Sequence, residues 1–248
     1  MANTVLEVRN LRKRFGGITA VDGVSFGVAE GEILGVIGPN GCGKSTLFNC
    51  ILGQLKPSGG HVILDGEDVT GMSSCEISSR GVSRTFQLLQ VFPQLSVRDN
   101  LILAAQEHKG TMVSRLLGRS DVGLTSEANR MIAFFGLGHL AGERAGSLSY
   151  GQQKLLDAAM AFMAGPRMVL LDEPAGGVNL TMLGRLEERL RVINAERRAT
   201  FVVIEHNMDF VMRLCTRVVV LAEGRKIAEG TPAEVRADPA VIDAYLGR

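Results

Sequence analysis

Gly38, Gly41, Gly43, Lys44 and Ser45 stand in the stretch GPNGCGKST, which fits the pattern G-x-x-x-x-G-K-S/T at every fixed position. Residues of these types at this spacing bind phosphate. The glycines let the backbone wrap tightly enough to aim its N–H groups at phosphate oxygens. The candidate binding set is Gly38, Pro39, Asn40, Gly41, Cys42, Gly43, Lys44, Ser45 and Thr46. Lys44 would bring a point charge to the β- and γ-phosphates of a nucleotide, and Ser45 a hydroxyl for Mg²⁺. A helix expected from about Ser45 adds the positive end of its dipole. An incidental glycine turn would lack what flanks this one, the apolar run EILGVIG before it and a helical pattern after it.

Asp172 and Glu173 end the apolar run MVLLDEP. A carboxylate at that point can hold Mg²⁺ from the side opposite Ser45. Successive strand residues alternate faces, so Glu173 is expected to point away from Asp172, placed to polarise an attacking water as a general base. Adjacent acids also occur on solvated loops, and the glycine loop upstream is what favours chemistry here. His206 follows FVVIE at the end of the next expected strand; a lone histidine there is usually structural or solvated, but at this strand end it can also face the γ-phosphate. Gln87, in RTFQ, carries almost no signal without its neighbours.

These side chains need a frame. Alternation over Val5–Asn10 predicts a strand, Ala20–Val28 a second, EILGVIG a buried third, and HVILDG a fourth closed by an Asp-Gly turn. A helix is expected over Ser45–Leu55, stopped by Pro57 and Ser58-Gly59-Gly60. From about Leu88 to Ala164 apolar residues recur at helical spacing, as in VRDNLILAAQ and SEANRMIAFFGL. RMVLLDEP and TFVVIEHN are continuous apolar runs suited to a parallel sheet covered on both faces. TMLGRLEERLRVINAERR between them is an amphipathic helix, and RVVVLAEGRKIAEG a hairpin before a short helical tail. The expected fold class is α/β: a nucleotide-binding core (1–87 and 165–248) with a helical subdomain (88–164) inserted in it, together one domain over 1–248.

Bulk composition narrows the function. The chain has 248 residues, 46% hydrophobic and 21% charged, with a net charge of +1. That balance gives no electrostatic footprint for nucleic acid. Cys42, Cys50, Cys75 and Cys215 follow neither a metal nor a disulfide spacing, and a free thiol in the glycine loop suits a reducing, cytoplasmic compartment. No apolar run reaches the roughly 18–20 residues of a membrane span, and MANTVLEVRNLRKRFGG lacks the apolar core of a signal peptide. The chain is expected not to cross a membrane by itself.

LSYGQQ, Leu148–Gln153, resembles the signature motif of ATP-binding cassette (ABC) proteins. The resemblance extends over nearly the whole chain and implies a P-loop core with an N-terminal antiparallel β-subdomain and an inserted helical subdomain. It implies ATP and Mg²⁺ as cofactors. It makes Phe15 the aromatic residue that stacks on adenine, Gln87 the sensor of Mg²⁺ and attacking water, Asp172 a metal ligand with Ser45, and Glu173 and His206 catalytic. Leu148, Ser149, Tyr150, Gly151 and Gln152 then cap ATP held by a facing subunit. Ser149 offers a hydroxyl, Gly151 permits close backbone approach, and a helix beginning there has its N-terminus open to an anion.

RTFQ, LSYGQQ, DEPAGGVN, IEHNMDFVM and the tail IAEGTPAEVRADPAVIDAYLG are similar to the ATPase subunits of branched-chain amino acid uptake systems. That likeness implies permease partners in the membrane, a second ATPase subunit (like or unlike), a periplasmic binding protein acting indirectly, and a place on the inner face of the cell membrane. The groove that receives a short permease helix would be lined near Gln87–Pro93, with Leu88, Leu89, Val91 and Phe92 either serving it or simply packing in the core. Tyr150, Val178, Asn179 and Met160 depart from common family residues, and none is a phosphate or Mg²⁺ ligand. Uptake of urea or short amides and export of lipopolysaccharide are alternatives. A clamp acting on DNA or the ribosome would call for a long coiled-coil insertion or tandem cassettes, and the sequence has neither. A pure binding module is disfavoured by Lys44, Asp172, Glu173 and His206 together.

Overall fold

The apolar runs that read as doubly covered strands form the centre of a six-stranded sheet. The computed structural model describes residues 3–85, 91–106 and 121–246. The strands of this sheet are β3 (Ile33–Ile37), β6 (Val82–Arg84), β7 (Met168–Asp172), β8 (Thr200–Ile204), β9 (Arg217–Ala222) and β10 (Arg225–Gly230), in the order β10-β9-β3-β8-β7-β6. All neighbours pair in parallel except β9 and β10, the expected antiparallel hairpin. Every residue of β3, β7 and β8 is buried. Alternate residues serve two separate cores. Ile33, Val169, Leu171, Phe201 and Val203 enter one core with the helices; Leu34, Val36, Leu170, Val202 and Ile204 enter the other with the N-terminal sheet. Each such side chain contributes roughly 1.5–3 kcal/mol by leaving water, so the continuous apolar pattern follows from two covered faces.

The N-terminal sheet is antiparallel, ordered β2-β1-β4-β5, with β1 Thr4–Phe15, β2 Ile18–Ala29, β4 Gly59–Leu64 and β5 Glu67–Asp68. The simple alternation expected over Val5–Asn10 does not hold. Val5 and Leu6 are both buried, because the pairing with β2 shifts register between Thr4 and Leu6. The Asp65-Gly66 turn is as expected, with φ of 48° and 83° at its two residues.

Among the described residues, the α-helices are α1 (Lys44–Ile51), α2 (Ser74–Ser79), α3 (Val97–Gln106), α4 (Asp121–Phe134), α5 (Tyr150–Phe162), α6 (Leu180–Arg197), α7 (Met208–Leu214), α8 (Pro232–Ala237) and α9 (Pro239–Leu246). Helix α1 ends four residues before the expected Leu55. Gly53 adopts φ 68°, and the amides of Gln54 and Leu55 both turn back to the Asn49 carbonyl. Of the expected helical stretch 88–164, α3, α4 and α5 pack together around Leu101, Ile132, Phe135 and Leu155. Among the described residues, no helix is long and apolar enough to cross a membrane.

Candidate functional site

Parallel pairing brings the candidate residues to one edge. Val36 of β3 lies beside Ile204 of β8, and Ile204 beside Asp172 of β7. The segments leaving these three strands therefore emerge level: the glycine loop after β3, Asp172-Glu173 after β7, and Glu205-His206 after β8. The carboxyl edge of such a sheet is where ligands of open α/β folds bind.

The glycine loop depends on close backbone approach. A Cβ at Gly38 would lie 2.1 Å from the Leu221 carbonyl oxygen, and one at Gly43 2.2 Å from that of Ala20. Gly43, with φ 104°, is the residue before α1, and no side chain caps that end of the helix. Its first N–H groups are thus left to other acceptors. Lys44 is buried, its ammonium donating to the carbonyls of Gly38 at 2.8 Å and Pro39 at 3.0 Å, with Cys42 Sγ at 3.7 Å. The loop thus holds its own lysine where a phosphate would take over part of its charge. Asn40, Gly41 and Ser45 are exposed, Cys42 is buried, and Thr46 lies between. Burial pushes the Tyr245 phenol of α9 up to about 12, partly offset by the nearby Gly38 amide.

Asp172 and Glu173 diverge, but not by strand alternation. Asp172 is the last residue of β7, whereas Glu173 leaves the strand in a left-handed conformation, φ 48°. Such a conformation is uncommon outside glycine and must be held by its surroundings. The holding bonds are Glu173 N–H to the Ile204 carbonyl (2.9 Å), Gly176 N–H to the Glu173 carbonyl (3.1 Å), and Lys154 Nζ to that same carbonyl (3.4 Å). Asp172 is 2% exposed, and its Oδ2 accepts from Arg84 at 2.5 Å. Its Oδ1 is buried without a hydrogen-bond partner among the described residues. Such an oxygen is costly unless something pairs with it, and a hard cation is a partner that a carboxylate oxygen accepts.

Glu173 Oε1 lies 3.8 Å from His206 Nδ1, with the Glu173 side chain 25% and the His206 ring 54% exposed. The fold thus brings together the two residues expected to act on water and γ-phosphate. Gln87 falls outside the described residues. Phe15 ends β1 with its ring 46% exposed and the Lys13 ammonium 4.9 Å from its centroid.

The signature stretch is built as a helix start. Leu148 anchors it in the core, and Ser149 caps α5. The N-terminus is not as open as expected. Ser149 and Gln152 form a reciprocal capping box, Gln152 Oε1 accepting from Ser149 N–H at 2.9 Å and from its hydroxyl at 3.0 Å. A phosphate there would compete with Gln152 for the hydroxyl. Gly151 approaches Met182, and Tyr150 packs on Gly177, where an added Cβ would meet the ring at 2.7 Å. Among the described hydrogen bonds, none joins 148–153 to 38–46.

Two groups were not singled out from the sequence. Arg84 donates to Asn49 (2.8 Å) and Gln54 (2.7 Å) as well as to Asp172. Glu205 is wholly buried between the Asp172-Glu173 turn and the His206 loop. The only sequence signals were charged residues beside strands, which are ordinary. Phe92 is half exposed and lines a cavity of about 280 Å³ with Leu52, Gln54, Arg84, Leu103 and Met160. Val91 packs partly on the core, and Leu88 and Leu89 lie outside the described residues.

A family model described as ABC transporter matches residues 21–176, and one described as branched-chain amino acid ATP-binding cassette transporter matches 225–248. The high-affinity branched-chain amino acid transport ATP-binding protein BraF of Pseudomonas aeruginosa is 38% identical over 253 residues, covering 100% of this chain and 99% of that protein. Among solved structures, a nucleotide-free ATP-binding cassette from an ABC transporter superposes with a TM-score of 0.88 at 33% identity, covering 99% of this chain and 100% of the other. The dimeric structure of the bacterial ABC transporter cassette MJ0796 gives a TM-score of 0.80 at 26% identity over 92% and 98% of the two chains. A glycine loop, a carboxylate pair and a histidine at one sheet edge, carried by this fold and these likenesses, lead to one conclusion: the chain belongs to the ABC transporter family, as one of its ATP-hydrolysing cassettes.

Proposed function

We propose that this cassette energises uptake of branched-chain amino acids through a permease in the cell membrane, on whose cytoplasmic face it docks. The observation that carries the reading is the 3.8 Å approach of Glu173 to His206 beside a complete phosphate loop. The full-length likeness to BraF gives the substrate class by analogy.

Residues 38–46 hold the ATP phosphates, and Phe15 stacks on adenine. Ser45 and Asp172, with Gln87, would hold Mg²⁺, which when bound would supply positive charge to the phosphates. Glu173 accepts a proton from the attacking water, and His206 bonds the γ-phosphate beside it. The products are ADP and phosphate. Leu148–Gln152 caps the ATP of a second cassette, like or unlike, so each site uses two chains. ATP favours the closed pair by binding it better than the open one, and shifting the balance from mostly open to mostly closed takes about 5 kcal/mol. Several charge-assisted hydrogen bonds of roughly 1.5–3 kcal/mol each supply that.

The core is 1–87 with 165–248, and 88–164 is the helical subdomain. The Phe92-lined cavity lies between them and receives the permease helix. A periplasmic binding protein delivers the amino acid to the permease.

The test is co-purification with the permease and measurement of which ligand-loaded binding protein stimulates ATP hydrolysis. Leucine, isoleucine or valine is expected to stimulate; stimulation by urea or an amide alone would overturn the substrate class. Glu173→Gln is expected to bind ATP, stall hydrolysis and accumulate dimers, and normal turnover by that variant would remove Glu173 as the base.

A further inference from the structure

Glu205 has no place in the scheme above, yet it is the acid most completely removed from water among the described residues, at 0% exposure. Burying a carboxylate costs several kcal/mol unless its oxygens are satisfied. Here they are satisfied by backbone N–H groups from two different loops. Oε1 accepts from Ala175 at 2.6 Å, two residues beyond Glu173. Oε2 accepts from His206 and Asn207, each at 3.0 Å. Asn207 in turn caps α7, its side chain accepting from the Phe210 amide at 3.1 Å. The His206 loop is therefore tied through Glu205 to the turn that carries Glu173.

We infer that Glu205 is a positioning residue for hydrolysis: its two oxygens clamp the Glu173–Ala175 turn to the His206–Asn207 loop and so set the spacing of Glu173 and His206. The geometry explains why an acid serves where an amide would not. Glutamine has one acceptor oxygen, which can satisfy one loop, and its NH₂ would then face the N–H donors of the other. Glu205 does not touch the glycine loop's candidate binding residues in any described hydrogen bond, so the clamp acts on turnover and not on ATP binding. Loss of a merely stabilising acid would lower the unfolding temperature and leave the turnover of folded protein unchanged.

This inference rests on the roles proposed for Glu173 and His206, so Glu173→Gln and His206→Ala are measured alongside. Glu205→Gln is compared with the parent in the full-length chain by steady-state and single-turnover hydrolysis and by affinity for a fluorescent ATP analogue. The expected result is a kcat lower by about 10–100-fold, the effect of losing one or two charge-assisted bonds. The dissociation constant should stay within about twofold, and in the His206→Ala background the same change should cost less than about threefold. Normal kcat in folded Glu205→Gln, a parallel loss of ATP affinity, or multiplication with His206→Ala would each overturn the clamp. Normal turnover in Glu173→Gln and His206→Ala would instead overturn the reading of the site itself. Should Glu205→Gln fail to fold, amide exchange in the parent decides: 173–178 and 205–209 are expected to change protection together on adding ATP with Mg²⁺, and a response in one segment alone would overturn the proposal.

Discussion

Replacing Arg84 by methionine should destabilise the protein far more than removal of an ordinary surface charge. The Arg84 side chain is 11% exposed and its partner Asp172 2%, with Nη2 2.5 Å from Oδ2. The other oxygen of Asp172 already lacks a hydrogen-bond partner among the described residues. Methionine fills similar space, so the main effect is a buried carboxylate stripped of its countercharge. Breaking a buried pair in this way costs about 3–5 kcal/mol. The bonds to Asn49 and Gln54 are lost as well. For a chain of this size each kcal/mol moves the melting temperature about 2–4 °C, so a fall of about 6–20 °C is expected. Urea unfolding followed by circular dichroism gives the free energy directly. The control is Arg84→Met combined with Asp172→Asn: a neutral amide needs no countercharge, so the double variant should lose clearly less than the sum of the two singles. On the proposed role of Asp172, Mg²⁺ should also raise the stability of Arg84→Met more than that of the parent, because a dication bound there would supply charge that arginine no longer does. A loss below about 1 kcal/mol, as exposed pairs give, or strict additivity in the double variant would refute the reasoning.

Two further outcomes follow from local geometry. Gly43→Ala should weaken ATP-analogue binding by about tenfold or more, since its Cβ would sit 2.2 Å from a backbone oxygen, whereas Gly41→Ala, also left-handed at φ 80° but with open space around it, should cost less; equal effects would contradict the clash argument. Asp68 is held at about 2, below its ordinary 3.8, first by the Thr70 hydroxyl and amide and then by His61, so its contribution to stability is complete above about pH 3.8 and is lost as the pH falls through about 2. Thr70→Val should move the Asp68 carboxyl titration, followed by NMR, up toward 3.8, and an unmoved titration would reassign the cause.

The candidate phosphate loop and acid pair were legible because each depends on residue types at fixed short spacings, whereas His206 took its candidacy from the resemblance to the cassette family. The strands were legible because both faces of the large sheet are covered and the apolar runs are unbroken. Short elements were not: α2, β5, β6 and α7 are two to seven residues long and leave little periodicity to read. The end of α1 was misplaced because a glycine turn at Gly53, four residues before Pro57, stops the helix. The divergence of Asp172 and Glu173 was anticipated for the wrong reason. Strand alternation suggested it, but a left-handed Glu173 held by Ile204, Gly176 and Lys154 produces it.

By itself, the sequence determined which groups are available: a loop able to bind phosphate, two acids, a histidine and a helix-starting signature. Only the tertiary structure decided which of them meet, and at what distance. Arg84 reaches Asp172 across 88 positions, and Glu205 reaches Ala175 across 30. Those meetings follow from the register of parallel strands, and parallel partners are distant in the chain because each crossover must return to the same end of the sheet. Spacing along a chain can state which chemistry is possible, but the pairing of strands brings Glu173 and His206 to the 3.8 Å on which the proposed chemistry rests.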